Sequence, residues 1–204
     1  MASKKTLTQH QKIFHLTAFS MLSALIIVLT ATPVGYITTP LFAVTIIHLP
    51  VLVGAIVFGA PDGAALGAVW GITCIIKAVV APPTPLEGII FRNPLVALVP
   101  RVLAGLVAGL IAGAFRRFGE KGALRALGAG LSAAGGAVVN SALVLSSLYL
   151  LYNTQLDLGG IQIGGWGKYI TAAAGLNAPI EIAAAVVLLV PVSEALRQAL
   201  KRMQ

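Results

Sequence analysis

Six stretches of this chain, residues 13–31, 41–59, 63–81, 94–115, 127–151 and 169–192, are apolar around their whole circumference. Each is close to the roughly 20 residues that an α-helix needs to cross the hydrocarbon of a bilayer. Inside lipid no water is available to bond bare backbone N–H and C=O groups, so a crossing segment is a helix or part of a closed barrel. Barrel strands alternate apolar and polar residues over segments of about ten, and these stretches do not. The reading is an all-α integral membrane bundle of six transmembrane helices, forming a single domain over residues 1–204 in the cell membrane. Composition agrees: 58% of residues are hydrophobic and 10% charged, against about 25% charged in soluble domains.

The net charge of +8 follows the same logic. A soluble protein so basic would suggest nucleic acid, but here the cations gather at the ends of the apolar stretches, and no nucleic-acid partner is expected. Lys4, Lys5 and Lys12 precede the first stretch, Arg116, Arg117, Lys121 and Arg125 join the fourth to the fifth, and Arg197, Lys201 and Arg202 follow the last. The opposite loops carry only Arg92 and Lys168. Basic loops stay in the cytoplasm, so both termini are expected there, which requires an even number of crossings. The first stretch resembles a signal peptide in its basic start, but it lacks an A-x-A cleavage site and more apolar stretches follow, so it reads as a retained first helix.

The connections are rich in helix breakers. Residues 32–40 contain Pro33, Gly35 and Pro40, residues 59–63 read as a tight turn, and residues 81–85 open a longer loop. That loop ends at Asn93, a natural N-cap, with Pro94 as first helical residue. The longest loop, residues 153–168, is rich in glycine and carries Trp166.

Lipid tails do not drive apolar helices together, so helix contacts in a membrane rely on small residues that let backbones approach. Three rows spaced by four fit that role: Gly63, Gly67 and Gly71; Gly105, Gly109 and Gly113; Gly128, Ser132 and Gly136. The rows lead to polar side chains. Arg101 precedes Gly105 by four and Asn140 follows Gly136 by four; Trp70, Cys74 and Lys77 share a face of the third stretch, Asn177 and Glu181 share one of the sixth, and His48 lies in the second. With cytoplasmic termini, Lys77, Arg101, Asn177 and Glu181 come out in the outer half of the membrane and Asn140 near its midplane. A charge at such depth costs about 2.5 to 3.5 kcal/mol on insertion scales, so several at one depth imply a shared polar site. A structural ion pair, such as Arg101 with Glu181, is the plainer explanation, and Lys77 can also snorkel to the outer surface.

Nothing in the sequence supplies catalysis. There is no G-x-x-x-x-G-K-[ST] loop, no H-E-x-x-H and no G-x-S-x-G. The three His and lone Cys74 are scattered, so neither metal nor other cofactor is expected. An intramembrane enzyme using Glu181, Lys77 or His48 would need a nucleophile or metal beside its base. The remaining readings are a solute-binding transport subunit and a membrane protein whose charges only pair.

The run from Ile46 through His48, Leu49 and Pro50 to Gly54 and Gly59, the run Asp62-Gly63-Ala64-Ala65-Leu66-Gly67 continuing to Trp70 and Gly71, and the run from Asn93 and Pro94 to Pro100, Arg101 and Gly105 together resemble the S components of energy-coupling factor (ECF) vitamin transporters. The resemblance covers most of the chain. It implies six helices, cytoplasmic termini, a vitamin bound near the extracellular side, and assembly with a transmembrane coupling protein and two ATPases. It also implies that the first helix meets the coupling protein through an A-x-x-x-A motif, which here reads Ser20 to Ala24, with serine in the first place. The stretches around His48-Leu49-Pro50 and Pro100-Arg101 are most similar to pantothenate-type members; cobalamin and folate are the alternatives. On that resemblance Arg101 or Lys77 would answer the vitamin's carboxylate, and Asn140, Asn177 and Glu181 its hydroxyls and amide. Trp70, Tyr36 and His48 complete the expected binding set.

Overall fold

The computed structural model describes residues 9–38, 43–82, 85–118, 122–152, 189, 191–195 and 198. Seven helices account for most of them: α1 (Gln9–Ala31), α2 (His48–Phe58), α3 (Ala60–Val80), α4 (Pro85–Ile90), α5 (Pro94–Ala97), α6 (Val99–Phe118) and α7 (Gly122–Tyr152). Four helical segments, Gln9–Ala31, Ala60–Val80, Pro94–Arg117 and Leu124–Leu148, are long and apolar enough to cross a membrane. They correspond to the first, third, fourth and fifth apolar stretches. Of the sixth, residues 189, 191 and 192 are helical, as are residues 193–195 just beyond it, and Leu189 packs in the core beside Leu52, Ile56 and Ala133.

The second stretch departs from expectation. Its helix is only the 11 residues of α2, about 16 Å at 1.5 Å per residue, half the hydrocarbon thickness. The residues before it form a two-stranded antiparallel hairpin, β1 (Tyr36–Thr38) with β2 (Ala43–Thr45), in the register Tyr36↔Thr45, Ile37↔Val44 and Thr38↔Ala43. The physical reason is composition. Val44, Thr45, Ile46 and Ile47 are β-branched, and β-branched side chains prefer a pleated strand to a helix.

The predicted turn at residues 59–63 shrinks to one residue. Gly59 alone breaks the chain, at φ +117, where a side chain would be strained. Pro61 then sits at the start of α3, where its missing N–H is no loss, so the helix begins at Ala60.

Helix α2 is the centre of the bundle: His48 and residues 50–57 are all buried. It is enclosed by α1, α3, α6 and α7. Around it α3 and α6 cross with backbones in contact. A Cβ on Gly63 would strike the Gly105 carbonyl, one on Gly67 the Arg101 carbonyl, and one on Gly71 the Cα of Leu98. In the same way Gly128 faces Phe115 and Gly136 faces Leu52 and Ala108, setting α7 antiparallel to α6. The small-residue rows are therefore the packing seams, with one exception: a Cβ on Gly113 would meet nothing within 4 Å among the described residues.

Helix α1 lies outside. Only Ile26 and Thr30 of its 23 residues are buried. It is held at both ends by polar contacts. His15 Nε2 lies 3.0 Å from Asp62 Oδ1, and the His15 ring meets Phe58 edge to face at 4.8 Å. At the other end Lys77 Nζ donates to the Ala31 carbonyl at 2.8 Å, and Thr73 Oγ1 approaches Thr30 Oγ1 at 3.3 Å. An ion pair, Arg125 with Glu194 at 3.2 Å, joins the start of α7 to the helical residues 191–195.

Candidate functional site

The polar cluster forms where α5 meets α6. Asn93 caps α5, its side chain accepting from the Leu95 N–H at 3.0 Å, and Pro94 takes the first helical position as the sequence predicts. Leu98 then interrupts the helix before α6 starts at Val99. The interruption has a local cause. In a continuous helix the Val96 carbonyl would accept from the N–H of residue 100, but Pro100 has none. The Arg101 side chain folds back and supplies the bond instead, with Nη1 2.6 Å from the Val96 oxygen. The proline thereby fixes where the guanidinium stands.

Arg101 is 5% exposed. Its guanidinium carbon lies 5.1 Å from the centre of the Trp70 ring and 4.8 Å from that of Phe91. Contact with aromatic faces at this range attracts a cation electrostatically, which partly offsets its removal from water. His48, from the first turn of α2, lies beside Trp70 with ring centroids 6.4 Å apart. Cys74, one turn beyond Trp70 on α3, sits within the electrostatic reach of both Arg101 and Glu87. Four elements thus converge: α2 with His48, α3 with Trp70 and Cys74, α4 with Glu87, and α6 with Arg101; Phe91 comes from the turn after α4.

Asn140 joins this level from α7. Gly136, one turn earlier, packs on Ala104 and Ala108, and Val144, one turn later, packs beside Ile90, Phe91 and Val96. Asn140 therefore stands at the depth of Arg101. Its Oδ1 is buried with no hydrogen-bond partner among the described residues, as are His48 Nε2 and Trp70 Nε1. Buried polar groups are almost always paired, which makes these three atoms the candidate binding groups of the cluster.

Of the residues singled out from the sequence, the fold brings together His48, Trp70, Arg101 and, at the same level, Asn140. Lys77 turns instead to the Ala31 carbonyl, where its charge favours the C-terminal end of α1. Tyr36 opens strand β1. Asn177, and with it Glu181 as a partner for Arg101, lie outside the described residues. Ser20 and Ala24 are both exposed on α1. Sequence reasoning missed Glu87 and the contact of Phe91 with Arg101. A signal existed for the first: the chain has only six acidic residues, and one beside the membrane stretches is conspicuous. Among the described residues no three His, Cys, Asp or Glu side chains gather closely enough to hold a metal ion.

The model of the family described as ECF transporter, substrate-specific component, matches residues 14–193. The chain is 32% identical over 167 residues to the pantothenic acid transporter PanT of Lactococcus lactis subsp. cremoris, covering 76% of this chain and 78% of that protein. It is 30% identical over 209 residues to the pantothenate transporter PanT of Leuconostoc mesenteroides subsp. mesenteroides, covering 95% of this chain and 97% of that one. With its apolar crossing helices, the match over residues 14–193 makes the chain a multi-pass protein of the cell membrane and a member of the substrate-specific component family of ECF transporters.

Proposed function

We propose that the protein binds pantothenate in the outer half of its bundle and delivers it for import without chemical change. The observation that carries this reading is Arg101, 5% exposed and flanked by Trp70 and Phe91, at the level of three buried polar atoms with no partner among the described residues. Pantothenate carries one carboxylate, an amide and hydroxyls. Arg101 answers the carboxylate with a charge-assisted hydrogen bond, about twice as strong as a neutral one. His48, Trp70 and Asn140 answer the uncharged polar groups, and Tyr36, Lys77, Asn177 and Glu181 are the further candidates. The names of the two relatives support the same ligand.

The test is calorimetry on the purified protein, after identifying the small molecule that co-purifies with it. Pantothenate should bind, and Arg101→Ala should weaken it by at least roughly tenfold, since breaking a buried charge pair costs about 2 to 5 kcal/mol. Unchanged affinity in a folded Arg101→Ala protein removes Arg101 from the site. No binding by the parent protein removes the ligand.

The proposed topology is six crossings over one domain, with both termini cytoplasmic, supported by the ten basic residues on one side against Arg92 and Lys168 on the other. Accessibility labelling of single cysteines at Ser3 and Gln204 tests it: reaction from outside intact cells overturns it. The chain has no nucleotide-binding loop, so the energy for import comes from partners, a transmembrane coupling protein and two ATPases. Ser20 and Ala24 are the proposed contact on α1.

A further inference from the structure

The unpartnered atoms of the cluster differ in what they ask of a ligand. The His48 ring bonds the Thr45 backbone carbonyl. A carbonyl only accepts, so the ring nitrogen facing it carries the hydrogen. Since Nε2 has no partner among the described residues, that nitrogen is Nδ1, and in a neutral imidazole Nε2 is then a bare acceptor. The strand β2 therefore sets the tautomer of His48 through the carbonyl of Thr45, its last residue. Trp70 is the opposite case. Its indole Nε1–H only donates. The nearby Cys74 sulfur is only a weak acceptor for it.

His48 is 5% exposed and Trp70 2%, so bulk water completes neither. One buried donor and one buried acceptor remain, on rings whose centroids are 6.4 Å apart. Rings at that separation can hold two nitrogens within the roughly 5.6 Å that a single oxygen spans with two hydrogen bonds of about 2.8 Å. The group that accepts from one and donates to the other through the same atom is a hydroxyl. A secondary amide presents its N–H and C=O in opposite directions, and a carboxylate has no hydrogen to give.

We infer that a ligand hydroxyl bridges Trp70 and His48, accepting from Nε1–H and donating to Nε2, and that this pair makes the site selective for a hydroxylated acid. The inference rests on the pantothenate reading for the identity of the ligand, whose acyl part carries two hydroxyls. His48 and Trp70 then select the hydroxylated part while Arg101 holds the carboxylate.

Two measurements test it. Nitrogen NMR of histidine-labelled, ligand-free protein, with His48 assigned by its loss in His48→Gln, should show a neutral ring with hydrogen on Nδ1. A hydrogen on Nε2 overturns the inference. Calorimetry then compares pantothenate with its two monodeoxy analogues on the parent protein, His48→Gln and His48→Phe. One analogue should bind the parent about tenfold or more weakly, since a buried group left unpaired is costly. That loss should vanish in His48→Phe and persist in part in His48→Gln, whose amide oxygen also accepts. A loss of equal size in the parent and His48→Phe places the hydroxyl elsewhere, and no loss with either analogue means that water fills the bridge; both overturn the inference. If His48→Phe fails to fold, Trp70→Phe completes the same comparison, because it deletes the donor and keeps an aromatic face toward Arg101. Failure of pantothenate to bind the parent protein is a separate outcome. It removes the ligand assignment, while the ligand-free spectrum still decides whether His48 is an acceptor.

Discussion

Helices α1 and α2 both come from long apolar stretches and are opposite in position. Of the 23 residues of α1 only Ile26 and Thr30 are buried, and Leu16, Met21 and Val28 are more than half exposed. In α2 nine of 11 residues are buried. In water such a contrast would show in the sequence, because an exposed helix face must be polar. In lipid both environments are hydrocarbon, and the contrast disappears. What separates the two helices is how they are held. α2 is fixed by packing on every side, whereas α1 packs along one face, through Phe19, Leu22, Ile26 and Leu29, and is pinned toward its ends by His15 with Asp62 and by Lys77 with Ala31. A helix held in that way leaves its outer face uncovered by the other described residues.

The largest effect that distinguishes the two comes from one truncation made twice. Ile56 in α2 is 0% exposed and packs with Leu52, Ala108 and Ala133. Ile56→Ala removes buried atoms and leaves a cavity, at a cost of about 2 to 5 kcal/mol. Ile27 in α1 is 49% exposed, and Ile27→Ala should stay within about 0.5 kcal/mol. Thermal unfolding in detergent measures both. Equal losses would mean that α1 packs as tightly as α2, and the comparison would fail.

That outcome also explains what sequence reasoning reached. The crossing segments were legible because length and hydropathy suffice to mark them. The seams were legible too, since only Gly or a residue as small lets α3 and α6 touch at Gly63 and Gly105. The start of the second stretch was not, because an apolar β-branched run fits a buried strand as well as a helix. Which faces meet lipid was unreadable for the reason just given. In the site, His48, Trp70, Arg101 and Asn140 stood out as polar or large residues among small apolar ones. Glu87 did not, because it lies in a proline-bounded segment that reads as loop, and only folding brings that segment over Arg101 and Cys74.

Ser20 and Ala24 lie on the exposed side of α1, four residues apart, so a partner helix can approach closely there. Ala24→Trp should abolish uptake and assembly with the coupling protein while the isolated subunit still binds pantothenate with unchanged affinity. The matching change in α2, Ala55→Trp, places a large ring where Ala55 is 0% exposed and lies against Gly63, and it should prevent folding altogether. Uptake assays, co-purification and calorimetry separate the cases. Normal transport by Ala24→Trp would put the partner contact elsewhere on the surface.

The smallest effect concerns the contact that holds α1 at its His15 end. His15 and Asp62 are 36% and 22% exposed, and ion pairs in such positions contribute about 0.2 to 1 kcal/mol. Asp62 has a second role, because it stands in the first turn of α3, where a negative charge favours the helix dipole by about 0.3 to 1 kcal/mol. Asp62→Ala therefore removes two terms and His15→Ala only one. The double-mutant cycle isolates the pair. His15→Ala should lower stability slightly, Asp62→Ala somewhat more, and the double variant by less than their sum, with a coupling below about 1 kcal/mol. His15→Ala also removes the ring that meets Phe58 at 4.8 Å, so His15→Phe is the necessary control: it keeps an aromatic edge and deletes the pair. If His15→Phe is as stable as the parent, the apolar contact with Phe58 holds this end of α1 and the ion pair adds nothing. If it matches His15→Ala, the pair is the fastening. A coupling well above 1 kcal/mol would mean that α1 is clamped rather than lightly pinned, and the contrast with α2 would weaken accordingly.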